Sequence, residues 1–107
     1  MTKLKIQPGA CDLPAVVEVE KKDGRTFSVA IRSECEMLEK LGTEIADLTV
    51  ADSFRRIGDN PVYRKASAIL KHPSCPVPSG VLKAFEVEAE LAVAKAVRME
   101  FMETPSS

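Results

Sequence analysis

The chain has 107 residues, of which 45% are apolar and 29% charged, a composition typical of one soluble globular domain. Its 15 basic and 16 acidic residues give a net charge of −1. This balance argues against nucleic acid as the main partner, because phosphate binding needs an excess of Lys and Arg on one face. There is no long apolar run and no signal-peptide pattern, so we predict a cytoplasmic protein without a membrane partner.

The first third of the chain predicts three short strands, each with an apolar residue at every second position. Residues 3–7 form the first, and Pro8-Gly9 ends it as a turn. Residues 15–20 and 27–32 form the second and third strands. Asp23-Gly24 lies between them and predicts a tight hairpin, because glycine tolerates the positive φ that such a turn requires.

The middle third predicts helices. Ser33 is a suitable N-cap, and Glu36 three residues later would complete a capping box. The helix that follows has an apolar face, which comprises Cys35, Leu38, Leu41 and Ile45. Residues 47–50 are predicted to be a connector. Thr49, within this connector, or Asp52 would cap a short helix that contains Phe54 and Ile57.

The next predicted helix begins at Pro61 and stops before Pro73, with Val62, Ala66, Ile69 and Leu70 on its core face. The longest helix begins at Pro78 or Ser79, and its buried stripe runs from Val81 to Ala92. Val97, Met99 and Phe101 then alternate with charged residues, which predicts a last strand. We therefore predict one α+β domain over residues 1–103, with a mostly antiparallel four-stranded sheet, three to four helices on one face, and a disordered tail at 104–107.

The segment Lys71–Gly80 concentrates the residues that could carry chemistry. It holds three prolines, the single histidine and one of three cysteines, so His72 and Cys75 lie at H-x-x-C spacing on a stiff loop. Cys11 follows a Pro-Gly turn, and Cys35 lies in the first turn of a predicted helix. Because helix N-termini favour thiolate over thiol, Cys35 and Cys75 are placed where the anionic form is stabilised.

If the loops meet at one end of the sheet, Cys11, Cys35, His72 and Cys75 converge on a candidate metal site. Three thiolates and an imidazole suit zinc, whereas three thiolates alone could hold an iron–sulfur cluster with one open iron. Two alternatives remain open. The cysteines could be packing residues, since free cysteine is often buried, or Cys35 or Cys75 could be a redox thiol.

The sequence does not indicate a catalytic site, and whether the protein is an enzyme stays open. A Ser-His-Asp triad would need His72, and the chain has neither a G-x-S-x-G elbow nor a Gly-rich phosphate loop. The alternative to metal binding is a non-catalytic interaction module, such as a homodimer or a domain that binds another protein, whose cysteines are structural.

Three segments resemble a family of small uncharacterised domains of unknown function, found mostly in anaerobic bacteria and archaea. They are Ile6-x-Pro8-Gly9-x-Cys11, Ser33-x-Cys35-Glu36 and His72-x-x-Cys75-Pro76-Val77-Pro78. The resemblance covers Leu4 to Phe101. In that family a Gly-Phe pair follows the first cysteine, whereas Asp12-Leu13 stands here, so the local loop differs. The resemblance implies no activity, but it implies that the three cysteine segments belong to one pattern, which favours a shared site.

Overall fold

A computed structural model describes residues 1–104, and its strands form one antiparallel sheet. The strands are β1 (Thr2–Ile6), β2 (Ala15–Lys21), β3 (Thr26–Ser33) and β4 (Leu48–Thr49), and they lie across the sheet in that order. The alternation in the sequence decides which side chains face the core. Leu4 pairs with Val17, and Val17 pairs with Ile31, so the apolar residues of neighbouring strands share one face.

The β2–β3 hairpin forms where the Asp-Gly signal predicts it, but Gly24 does not adopt the positive φ on which that prediction rested. One carboxylate oxygen of Asp23 accepts hydrogen bonds from the backbone N–H groups of Arg25 and Thr26, at 2.8 and 2.9 Å. These bonds hold the pKa of Asp23 below its usual value. The side chain therefore closes the turn in the way that Asp does in turns generally.

Three α-helices pack against the sheet: α1 (Glu36–Glu44), α2 (Pro61–Ile69) and α3 (Val77–Glu88). Two 3₁₀ helices, Val50–Phe54 and Ile57–Asp59, lie between β4 and α2. Together with the sheet, the helices confirm the predicted α+β class. The centre of the core is an edge-to-face contact between Phe27 of β3 and Phe85 of α3, whose ring centroids lie 5.1 Å apart.

Helix starts in the middle third follow local signals. Pro61 is the first residue of α2, as predicted, and the carboxamide oxygen of Asn60 accepts a bond from the Val62 N–H. Thr49 and Asp52 begin the first 3₁₀ helix, where the backbone N–H of Thr49 donates to the Asp52 carboxylate at 2.8 Å. Both helix-start signals involve residues only two or three positions apart. They can therefore be recognised from the sequence before the fold is known.

The predicted last strand does not form. Residues 90–104 belong to no helix or strand, and all are exposed. The fourth strand is Leu48–Thr49, which the sequence predicted to be part of a connector, and Leu48 pairs with Phe27. The free edge of β3 is thus already taken by a buried leucine that follows α1 closely in the chain.

The prediction that α3 extends to Ala92 is also wrong. The helix ends at Glu88, and Glu90 adopts a left-handed φ of 62°. At this point the Leu91 N–H donates to the carbonyl of Glu86 at 2.8 Å, which closes the helix C-terminus. Residues 105–107, most of the predicted disordered tail, lie outside the described residues.

Candidate functional site

All four predicted site residues line one pocket. Cys11, Cys35, His72 and Cys75 come from three separate segments, and the pocket between them has a volume of about 400 Å³. We call it the thiol pocket. Its remaining lining residues are Pro8, Ala10, Leu13, Met37, Leu38, Leu70, Pro73, Ser74 and Pro76. The loop after β1, the start of α1 and the loop before α3 therefore meet at one end of the sheet, as the sequence suggested they could.

Cys11 lies in the loop that leaves β1. Gly9 adopts φ of 90° and Asp12 adopts φ of 54°, and the Asp12 N–H donates to the Gly9 carbonyl at 2.9 Å. Glycine adopts a positive φ without steric cost, and Asp tolerates it better than most other residues. The residues at positions 9 and 12 therefore allow this tight turn. The turn presents Cys11 at the surface, where the side chain is exposed.

Cys35 occupies the N-cap position of α1, half-buried above the first turn of the helix. The predicted capping box of Ser33 and Glu36 is absent here, because Ser33 is still the last residue of β3. Its hydroxyl instead accepts from the Cys35 N–H at 3.1 Å and donates to the Pro14 carbonyl at 2.9 Å. Ser33 thus fixes the backbone of Cys35 against the chain that enters β2.

His72 and Cys75 lie on the proline loop before α3, in a turn where the Cys75 N–H donates to the His72 carbonyl at 3.2 Å. His72 is exposed and Cys75 is half-buried. The helix begins at Val77, just before the predicted start at Pro78 or Ser79, and Pro78 lies in its first turn, where a proline removes no helical bond. Cys75 is consequently held directly beside a helix N-terminus.

Burial dominates the electrostatics of Cys75 and raises the pKa of its thiol. The Val77 N–H donates to the sulfur and acts in the opposite direction, while negative charge on Cys11 or Cys35 would raise the pKa of Cys75 further. The helix N-terminus thus favours the thiolate of Cys75 through the Val77 N–H, as predicted, but burial reverses the net direction of the pKa shift. Desolvation outweighs the helix end because the neighbouring wall of the pocket is apolar.

The thiol pocket collects the four side chains but does not hold them as a closed ligand set. Among residues 1–104, no group of three or more His, Cys, Asp or Glu side chains lies close enough together to hold a metal ion. The three cysteines are free thiols. Any shared ligation thus requires the loops that carry Cys11 and His72 to close on the half-buried sulfurs of Cys35 and Cys75.

Sequence reasoning missed the other lining residues of this pocket. Met37 adds a thioether from the first turn of α1, and Leu38 and Leu70 supply apolar wall. The sequence predicts that Leu38 and Leu70 face the core, and this is confirmed, because Leu38 belongs to the hydrophobic core and Leu70 packs against it. No local signal marks a core residue as one that also borders a pocket, because that depends on where a loop from another part of the chain lies.

No helix within residues 1–104 has the length and apolarity needed to cross a membrane. Comparison with curated proteins and with solved structures found no match. A family model does match: the family of unknown function DUF6951 aligns with residues 2–101, which includes all three cysteine segments and the chain beyond α3. The chain therefore belongs to the family of unknown function DUF6951.

Proposed function

We propose that this protein binds a thiolate-ligated metal centre in the thiol pocket. Cys11, Cys35 and Cys75 would be the sulfur ligands and His72 the fourth ligand. The observation that carries the proposal is that these four side chains, drawn from three distant segments, line a single pocket of about 400 Å³. They are all the cysteine and histidine side chains that the sequence contains.

The chemistry of the donor set supports a soft metal. Three thiolates and one imidazole form a tetrahedral Cys₃His set, the kind that holds structural zinc. Three thiolates can also hold an iron–sulfur cluster, with His72 or an exogenous ligand at the remaining iron. No carboxylate among the described residues 1–104 lines the pocket, which makes a hard cation such as Mg²⁺ or Ca²⁺ a poor match.

The two pairs of ligands differ in how firmly they are held. Cys35 and Cys75 sit next to helix starts and are half-buried, whereas Cys11 and His72 are exposed on loops. We expect the metal to bind first to the fixed pair and to draw in the loop residues. Because burial raises the pKa of Cys75, binding must displace a proton, so affinity should increase with pH.

The experiment is anaerobic purification of the full chain, followed by metal analysis and visible absorption. One zinc per chain in colourless protein would identify the centre as zinc, and iron with sulfide in coloured protein would identify a cluster. The variants Cys11→Ser, Cys35→Ser and Cys75→Ser should each lose metal, and His72→Ala should weaken its retention. Ser74→Ala is the matched control, because Ser74 lines the same pocket on the same loop without a soft donor.

A clear negative result is available. Folded, metal-free protein with three freely titrating thiols, which also fails to take up Zn²⁺ or a reconstituted cluster, would rule out the proposal. That result would favour the alternative in which the protein is a non-catalytic interaction module and its cysteines are structural. Loss of metal by Ser74→Ala to the same extent as by Cys75→Ser would also contradict it, since the effect would then come from loop structure and not from ligation.

A further inference from the structure

The C-terminal segment, residues 90–104, exposes apolar side chains that a monomer leaves in water. Val93, Val97, Met99, Phe101 and Met102 are between 57% and 107% exposed. No residue of this segment belongs to the hydrophobic core or packs against it. A row of large apolar residues on one exposed segment is unusual in a monomer and marks a surface that is covered by something else.

The part from Val97 to Phe101 has the pattern of a strand. Val97, Met99 and Phe101 alternate with Arg98 and Glu100. The Arg98 guanidinium and the Glu100 carboxylate lie 2.9 Å apart, a contact that fits an extended backbone because residues two apart point to the same side. No glycine or proline occurs between residues 89 and 104, so nothing in the sequence prevents this segment from pairing.

The sheet offers one free strand edge that is long enough for a further strand to pair with it. β1 is an outer strand of five residues, hydrogen-bonded to β2 on one side only. Its core-side residues Leu4 and Ile6 are only partly buried, and its outward Lys5 has no ion-pair partner within the described chain. An edge of this kind has unsatisfied backbone donors and acceptors that a further strand can use. The opposite edge, β4, has two residues and is too short.

We infer that residues 97–101 of one chain lie antiparallel beside residues 4–8 of a second copy, so that Met99–Phe101 pair with the Leu4–Ile6 part of β1, and that the exchange is reciprocal. The register that places Glu100 opposite Lys5 also places Met99 opposite Ile6 and Phe101 opposite Leu4. Apolar side chains then extend the core face of the sheet, while the charged residues face solvent as a complementary pair. A two-fold dimer results, in which both copies contribute the same two surfaces.

Three observations favour a second copy as the occupant. The segment starts next to β1, since the Thr2 hydroxyl donates to Glu88 at 2.7 Å, yet it does not pair with β1 of its own chain. The left-handed residue Glu90 instead turns the chain after α3. The family match also ends at Phe101, the last residue of the alternating pattern, so the segment is part of the family's domain. A second copy of the chain has the same free β1 edge, and it is available wherever the protein is expressed.

The test is the oligomeric state of the full chain, measured by sedimentation velocity across a range of concentrations. We expect a concentration-dependent dimer that Met99→Glu/Phe101→Glu converts to monomer. Lys5→Glu and Glu100→Lys should each weaken dimerisation about tenfold, because two symmetric pairs become like-charged, and the double variant should restore it. Lys95→Glu, a charge reversal in the same segment but outside the strand, is the control that should leave the dimer intact.

Four results would overturn the inference. These are a monomer at every concentration, a dimer that persists in Met99→Glu/Phe101→Glu, two charge reversals that do not compensate one another, and backbone amides of residues 97–101 that are protected from exchange in a monomer. The last would mean that the segment pairs within its own chain. Because all of the changed residues lie outside the thiol pocket, metal content measured on the same variants keeps this test separate from the metal proposal.

Discussion

At the scale of single residues, Asn60 shows how a polar side chain is accommodated in the core. It is 2% exposed, the only buried polar residue found within residues 1–104. Its carboxamide oxygen accepts from the Val62 N–H at 2.9 Å, and its amide nitrogen donates to the Asp52 carbonyl at 2.8 Å. One side chain thus caps α2 and ties it to the first 3₁₀ helix, Val50–Phe54, which satisfies both of its polar groups.

We predict that Asn60→Ala lowers the free energy of unfolding by about 2 kcal/mol, because it removes the cap and leaves the Asp52 carbonyl without its donor. Asn60→Ser should lose less, since a hydroxyl can still cap α2. Urea denaturation followed by circular dichroism measures both. Asp59→Ala, at the exposed neighbouring position, is the control and should stay within about 0.5 kcal/mol of the native chain. Equal losses for the Ala and Ser variants would show that the cap contributes nothing.

The three thiols should differ in reactivity in the metal-free protein. Cys11 is exposed, whereas burial raises the pKa of the half-buried Cys75, so less of Cys75 is thiolate at a given pH. We expect alkylation at about pH 8, near the ordinary thiol pKa of about 8.5, to modify Cys11 well before Cys75. Mass spectrometry of peptides after short exposures would measure the order.

Denatured protein is the reference for this comparison, because all three thiols should then react at similar rates. If Cys75 reacts as fast as Cys11 in the folded protein, the pocket does not shield it in solution.

At the scale of elements, Glu88 joins the end of α3 to the open end of the β1–β2 pair. One carboxylate oxygen accepts from the Thr2 hydroxyl at 2.7 Å, and the other accepts from the Lys21 N–H at 3.1 Å. The hydroxyl bond is the largest reason why the pKa of Glu88 lies below its usual value. The ionised form is therefore favoured in the folded state, and it stabilises the contact between helix and sheet.

The sign of the pH dependence follows from the lowered pKa. Stabilisation by Glu88 is fully present above the ordinary glutamate pKa of about 4.3 and is lost as the pH falls through the lower folded-state pKa. Glu88→Gln should thus be less stable than the native chain near neutral pH and lose less stability on acidification. Urea midpoints measured from about pH 7 to about pH 3 would show the two curves converging.

Some acid sensitivity should remain in Glu88→Gln. Glu18, which bonds to Arg32 at 2.9 Å and lies 3.4 Å from Lys3, also has a lowered pKa. Glu90→Gln, an exposed change just past the helix, is the control and should follow the native curve. A constant difference between Glu88→Gln and the native chain at every pH would contradict the assignment, because it would mean that the charge of Glu88 has no part in the effect.

At the scale of the whole molecule, the described residues divide into a packed domain and an exposed segment. Phe85 is fully buried against Phe27, whereas Phe101 is fully exposed. We predict that Phe85→Ala lowers the free energy of unfolding by about 3–5 kcal/mol, a large share of the stability of a small domain. Phe101→Ala should leave the stability of the dilute, monomeric protein unchanged.

Thermal unfolding at low protein concentration would compare the two variants. A large loss of stability in Phe101→Ala would show that the segment packs onto the domain in solution, as the predicted last strand would have done. It would also remove the basis for pairing with a second copy.

Local patterns in the sequence determined most of the fold. Alternation set the first three strands and their core face, Asp23 set the hairpin, and Asn60-Pro61 set the start of α2. The H-x-x-C spacing and the prolines around it also located the loop that lines the thiol pocket. Each of these signals depends on residues that are close together in the sequence. It can therefore be recognised without knowledge of the tertiary structure.

Only the tertiary structure decided which segment completes the sheet and how the cysteines meet. The alternating residues 97–101 look more like a strand than Leu48–Thr49 does, yet Leu48 reaches the edge of β3 and residues 97–101 do not. The burial that raises the pKa of Cys75 likewise depends on the fold, since Cys75 packs against the hydrophobic core. Pairing and desolvation depend on what the rest of the chain places nearby, and no local pattern contains that information.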